Sequence, residues 1–367
     1  MIEPHRPVEV CDLPDPPMEP GSVLLETLYS EVCGTDVHLL HGKLAGVPYP
    51  IIPGHVSVGR VLETVGPVTD VGGQPILPGQ QVTFLDVHET CNHCWYCLVG
   101  KQSTRCPSRK VYGITYSAED GLLGGWSEQV YLKPGVKSII LPETVTPTRL
   151  IAAGCALPTA LHAIDRAEIR LGDTVVVQGA GPVGINVAML AKFSGAGKVI
   201  VTDPRAHRLE AAARVGADEI VCFDPTDADS LFDPVRQLTR GRGPDITIEA
   251  CGAPPAVKQG LQMTRDGGRY VIVGHYTDGG EVPINPHLEI NQKHLEIRGS
   301  WGSDFSHFYR MVQVLDRFGT GVERPEQTSW ESLVTHQYNL DETNDALAMV
   351  EAGHAVKALI CPNGKPT

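Results

Sequence analysis

One short stretch constrains the chain more than any other. Gly179-Ala-Gly181-Pro182-Val183-Gly184 lies between an apolar run, Thr174–Gln178, and a helical pattern over residues 184–193. A glycine-spaced turn alone is a weak signal in a chain with 39 glycines. Here it has the context that a dinucleotide site needs, closing a strand and opening a helix. Gly179 permits the tight turn, Gly181 lets the backbone approach a pyrophosphate, and Gly184 lets helix and strand pack closely. The unpaired N–H groups at the helix start then face the phosphates. Asp203 ends the next apolar run, about twenty residues on, where a carboxylate accepts hydrogen bonds from ribose hydroxyls and repels a 2′-phosphate. That favours NAD over NADP, and Arg205 and His207 are close enough in sequence to soften the preference.

The surrounding pattern agrees. Apolar runs at 198–202, 220–223, 245–249, 270–274 and 295–299 alternate with helical stretches such as 205–215, which ends at Gly216. Alternating β and α units predict a doubly wound parallel sheet. Residues 1 to about 150 read differently, as short strands punctuated by Gly/Pro turns with little helical pattern. Beyond 301, helices are expected over Phe305–Phe318 and 341–352, and a final strand over 355–360. A chain of 367 residues suits two such domains.

Cysteines supply the second constraint. Cys91-Asn-His93-Cys94-Trp-Tyr-Cys97, followed by Cys106, can wrap one ion, and four thiolates leave no open position. That is the pattern of a structural zinc site, although an iron–sulfur cluster fits the spacing too and His93 could replace one sulfur. Cys33, His55 and Cys155 are scattered, but each has a suggestive context: Cys33-Gly-Thr35-Asp36-Val-His38, the turn Gly54-His55, and a cysteine just before the dinucleotide fold. Two thiolates and an imidazole with an open fourth place make a catalytic arrangement for zinc.

Composition narrows the remaining classes. A net charge of −13 argues against nucleic-acid or anionic-membrane partners, which need a clustered basic face. There is no apolar run long enough to span a bilayer and no signal-peptide pattern near Met1, so a cytoplasmic location is expected. Ten cysteines in a reducing compartment then read as ligands or buried thiols.

Taken in order, these motifs resemble the medium-chain zinc-dependent alcohol dehydrogenase family over essentially the whole chain. The resemblance implies an α/β chain with a GroES-like mainly-β catalytic domain at 1–154, to which 301–367 return, and a Rossmann domain at 155–300. It implies a zinc-dependent transfer of hydride between an alcohol and NAD, giving a ketone or aldehyde, with a secondary, cyclic or polyhydroxy alcohol as the small-molecule substrate. Two zinc ions per chain and a homodimer or homotetramer go with it. By the same resemblance Cys33, His55 and Cys155 hold the catalytic zinc, and Cys91, Cys94, Cys97 and Cys106 the structural one. Thr35 and His38 form a proton relay, Asp36 orients His55, and Lys357 contacts the cofactor pyrophosphate.

Two departures stand out. The family usually carries an acid directly after the zinc-binding histidine, thought to assist ligand exchange, and here that residue is Val56. The gap between Cys97 and Cys106 is one residue longer than usual, so a local bulge with four ligands retained is expected. Val56 also supports an alternative, a metal-stabilised nucleotide-binding protein with lost or altered catalysis. His88, Glu89 and Trp126 could face a substrate, or serve as loop and core residues.

Overall fold

The computed structural model describes residues 1–227, 229–318 and 330–365. The chain forms two compact units, the first containing Met1–Cys155 and the described residues from Asp304 onward, the second Ala156–Ser303.

The first unit is built around a mainly antiparallel seven-stranded sheet, in which, among the described residues, only the last two strands of the chain pair in parallel. Its long strand β1 (Val23–Val32) pairs on one side with β2 (Ser57–Thr64), which continues to β3 (Gln81–Phe84). The short strands β4 (Val87–Glu89) and β5 (Lys110–Val111) pair with each other at the base of the cysteine loop. Strand β6 (Gln129–Leu132) joins the first half of β1, and β7 (Ser138–Ile140) joins β3. Leu25, Val61, Val82, Phe84, Tyr112 and Leu132 are buried together as one core. Between β1 and β2 a short helix, α1 (Gly34–Leu40), starts at Cys33, and α2 (Trp95–Leu98) forms within the cysteine loop.

The chain leaves this unit through α3 (Pro147–Ala153) and enters the second with α4 (Ala156–Ala167). Sequence patterning did not resolve these helices: α3 has only seven residues, four of them (Leu150–Ala153) buried, and α4 carries Pro158 near its start. They are separate because Gly154 takes φ +49°, a conformation few residues other than glycine adopt readily.

The second unit is a parallel six-stranded sheet, formed by β8 (Thr174–Gln178), β9 (Lys198–Asp203), β10 (Glu219–Cys222), β11 (Ile246–Glu249), β12 (Arg269–Ile272) and β13 (Glu296–Gly299). Its order, β10-β9-β8-β11-β12-β13, is that of a Rossmann fold, with the topological switch beside β8. Val175, Val176 and Val177 are fully buried, as in a strand covered on both faces. The crossovers are α5 (Pro182–Phe193), α6 (Ala206–Val215), α7 (Asp229–Leu238) and α8 (Pro254–Met263). Sequence patterning found α5 and α6 but not α7 and α8, which each carry prolines: Pro234 within α7, and Pro254 and Pro255 opening α8.

After α9 (Phe305–Phe318), strand β14 (Val334–Asn339), helix α10 (Thr343–Glu351) and strand β15 (Lys357–Cys361) belong to the first unit. There β15 runs antiparallel to the second half of β1, with Glu31 opposite Leu359 and Val32 opposite Ala358. Among the described residues, no helix is long and apolar enough to cross a membrane.

Candidate active site

In the second unit the glycine turn has the geometry that its spacing requires. Gly179 sits at φ +102°, and its amide donates to Thr202 across the sheet at 2.7 Å. Gly181 caps α5 and Pro182 opens it, a position where proline's missing N–H costs nothing. A Cβ at Gly184 would lie 1.9 Å from the Gly179 carbonyl oxygen, so only glycine lets α5 pack on the turn. A Cβ at Gly181 would meet nothing nearer than Arg208 at 3.9 Å, so this backbone is open to a ligand. Val183 follows in the first turn of α5. Asp203 is buried at the end of β9, with one carboxylate oxygen accepting from the Ala180 amide and the other from the Arg205 amide, both at 2.8 Å. Arg205 is exposed at the start of α6. The carboxylate therefore already ties the glycine turn to the loop after β9.

In the first unit the scattered ligands come together. One donor atom each from Cys33, His55 and Cys155 lies within 4.8 Å of the others. Cys33 is the N-cap of α1: its sulfur accepts from the Thr35 amide at 3.3 Å, and its own amide donates to Asp36 Oδ2 at 2.9 Å. His55 is buried, with Nε2 3.9 Å from the Cys33 sulfur. It follows Gly54, whose φ of +88° and close packing on Trp126 leave no room for a side chain. Cys155 lies directly after the Gly154 break between α3 and α4.

The electrostatics of this set favour a cation. Burial would push the His55 imidazole down, but the neighbouring Cys33 thiolate and Asp36 outweigh it and raise it to about 10. The hydrogen bond from Cys155 holds Cys33 well below the usual thiol range, while Cys155 itself is pushed up. Asp36 is pushed up by its burial and by Cys33. Asp36 was expected to orient His55. Its Oδ2 accepts from the Cys33 amide, and both Asp36 Oδ1 and His55 Nδ1 are buried without a hydrogen-bond partner among the described residues. Thr35 and His38, three apart on α1, share a helix face.

The second cluster lies in the loop at residues 91–106, where one sulfur each from Cys91, Cys94, Cys97 and Cys106 falls within 4.8 Å of the others. The Cys106 sulfur accepts from the Cys91 amide at 3.2 Å, and the sulfurs of Cys94 and Cys97 are 3.6 Å apart. A backbone hydrogen bond involving His93 draws the Cys91 thiol down to about 6, whereas desolvation raises Cys97 to about 12. His93 is exposed and spends Nδ1 on the Cys91 carbonyl, so it stands outside the donor set. The extra residue before Cys106 is absorbed in a short turn at Ser103–Arg105. Four sulfurs closing around one point fit a structural zinc, and two sulfurs with one nitrogen fit a zinc that keeps an open position.

Three other residues can now be placed. His88 is held between the Tyr116 hydroxyl at 2.7 Å and the Pro134 carbonyl at 3.1 Å, so it serves the core. Trp126 is buried, and its indole N–H donates to the Glu31 carbonyl at 3.0 Å. Lys357, expected at the cofactor pyrophosphate, is buried in the first unit, where its ammonium donates to the carboxylate of Glu31. Sequence reasoning did not single out Glu31. The available signal was a lone acid and a lone base, each in an otherwise apolar terminal stretch of strand.

Known proteins share this architecture. Residues 19–142 match the model of the alcohol dehydrogenase GroES-like domain, and residues 182–317 that of the zinc-binding dehydrogenase domain. The chain is 33% identical to a 5-exo-hydroxycamphor dehydrogenase of Pseudomonas putida, over 98% of this chain and 97% of that protein. It is 30% identical to a sorbitol dehydrogenase of Halalkalibacterium halodurans, over 96% and 95%. A crystal structure of an alcohol dehydrogenase from Thermotoga maritima superposes with a TM-score of 0.85 at 34% identity, covering 96% of this chain and 94% of the other. Full-length likeness at this level, added to the two domain matches, makes the chain a member of the medium-chain zinc-dependent alcohol dehydrogenase family.

Proposed function

We propose that the chain oxidises a secondary alcohol, cyclic or polyhydroxy, with NAD, and that Cys33, His55 and Cys155 hold the zinc on which it acts. The observation that carries this reading is the convergence of those three side chains, far apart in sequence, on one point within the first unit. A zinc ion bound there supplies a Lewis acid that lowers an alcohol's pKa, as it lowers that of water from about 16 to about 7 in favourable cases, and NAD accepts the hydride.

The chain's own residues do the rest. Cys33 and Cys155 supply negative charge, His55 supplies a neutral nitrogen, and three protein ligands leave one place for the substrate oxygen. The Thr35 hydroxyl takes up the alcohol proton as it gives its own proton onward, and His38 is the group that delivers a proton to solvent, a role suited to a side chain that titrates near neutrality. Gly179, Gly181, Pro182, Val183 and Gly184 cradle the pyrophosphate, and Asp203 binds the adenosine ribose, with Arg205 beside it. Cys91, Cys94, Cys97 and Cys106 order their loop around a second zinc. Hydroxycamphor is a cyclic secondary alcohol and sorbitol a polyol, and these classes set the substrate range. No disulfide joins any of the ten cysteines, which suits a cytoplasmic enzyme. A homodimer or homotetramer follows the family resemblance.

The test is a screen for reduced-cofactor absorbance over cyclic secondary alcohols, polyols and primary alcohols, with native and chelator-treated protein. Turnover of a secondary alcohol that vanishes with the metal and returns with zinc is expected. Turnover that survives complete metal removal would refute the reading.

A further inference from the structure

Beside Cys155 lies a buried ion pair that none of these roles uses. Glu31 and Lys357 are only 1% and 3% exposed, and the Lys357 ammonium donates to Glu31 Oε1. Removing two charges from water carries a large penalty, which pairing repays only when the surrounding hydrogen bonds are also good. Here they are. The Glu31 amide donates to the Val56 carbonyl at 3.0 Å, and its carbonyl accepts from the Trp126 indole at 3.0 Å. Glu31 Oε2 accepts from the Cys155 amide at 2.7 Å, and Oε1 lies 3.4 Å from the Cys155 sulfur. Gly154 makes room for the carboxylate, since a Cβ there would lie 2.1 Å from Oε2. The antiparallel register of β1 and β15 brings Lys357 alongside.

The carboxylate thus touches both the backbone and the sulfur of one member of the three-donor set. Without Glu31, the buried ammonium would have the Cys155 thiolate as its nearest anion and would compete with a metal ion for the sulfur's electrons. Without Lys357, a carboxylate would face a thiolate across van der Waals distance. Together they add no net charge and fix where the sulfur sits.

We propose that Glu31 is a positioning residue of the three-donor centre: neutralised by Lys357, it holds Cys155 in place and leaves the thiolate free for the metal. This rests on the reading that Cys33, His55 and Cys155 bind that metal.

The test measures metal retention rather than turnover. Zinc-loaded wild type, E31Q, K357M, E31Q/K357M and C155S are mixed with a chromogenic chelator, and release is followed as two phases, one per donor set. In E31Q the phase from the three-donor set should quicken about 10-fold or more, as losing a ligand's hydrogen-bonding partner costs 10–100-fold in affinity. The four-cysteine phase should not move, which reports an intact fold. Adding K357M to E31Q should recover most of the retention, because the pair is then removed whole. A wild-type release rate in E31Q, or a double variant no better than E31Q, overturns the proposal. If E31Q quickens both phases, the double variant decides in the same way: recovery supports the proposal and its absence overturns it. C155S must lose one ion per chain. If it keeps both, the ligand assignment itself fails, whatever Glu31 does.

Discussion

Replacing Gly184 by alanine sets two effects of opposite sign against each other. Gly184 lies in the first turns of α5, where alanine is normally the better helix former by about 0.5–1 kcal/mol. Against that, the new Cβ would sit 1.9 Å from the Gly179 carbonyl oxygen, and real contacts of this kind essentially never go below 3.0 Å. The two must separate by about 1.1 Å. Gly179 cannot yield easily, because its amide is bonded to Thr202 and Cys251 packs against its α-carbon. Helix α5 must withdraw instead. Overpacking of this kind costs about 1–3 kcal/mol, so the steric term wins. A helix start displaced by this amount no longer aims its N–H groups at the pyrophosphate, and each 1.4 kcal/mol lost there is about tenfold in affinity. Fluorescence titration with NADH should show binding at least about tenfold weaker, and thermal melting of the free protein should show a lower Tm. Gly181→Ala is the control. Its Cβ has space and its φ of −74° suits alanine, so Tm should hold while NADH binding falls. The reasoning is refuted if Gly184→Ala melts and binds like wild type, or if Gly181→Ala leaves binding unchanged.

Two further expectations concern the metal loop and the relay. Cys106→Ser opens the four-sulfur set, so metal analysis should find one zinc per chain instead of two, and proteolysis should attack the loop around residues 91–106; two retained ions would show that the fourth sulfur is dispensable. His38 is held below its ordinary value of 6.5, chiefly by desolvation, so the folded protein keeps it neutral at pH values where the unfolded chain has already taken up a proton. The working base is therefore present throughout that range and is lost only as pH falls through the depressed value. Near pH 6 His38 is still the neutral acceptor and hydroxide is scarce, whereas near pH 9 hydroxide can take the proton instead, so turnover in His38→Gln should drop most near pH 6 and least near pH 9, and a loss equal at all pH values would exclude a relay.

Much of the molecule was legible in the sequence because its signals are local. The apolar run of β8, the glycines behind it and Asp203 lie within about thirty residues and define the Rossmann turn unaided. The four-cysteine loop is equally compact. What escaped depended on distant partners. Helix α3 is only seven residues long, and in α4 Pro158 near the start obscures the three-residue spacing of Thr159, His162 and Asp165. Asp36 reads as a partner for His55 by analogy, but at the N-terminus of a helix its shortest route is to the capping residue's amide. Lys357 reads only as a cofactor contact until β15 is placed against β1, and only then does Glu31 acquire a reason to be charged.

That pairing also governs the order in which the molecule can be made. The ligands of the four-cysteine loop span 15 residues, so this loop can close on a metal soon after it leaves the ribosome. Lys357 follows Glu31 by 326 residues. Until β15 pairs with β1, the second half of β1 has an open edge and Glu31 lacks the Lys357 counter-charge, so the surroundings of Cys155 stay incomplete. A three-donor centre whose ligands all lie before residue 156 therefore depends, for the surroundings of one ligand, on a strand about 200 residues further along the chain.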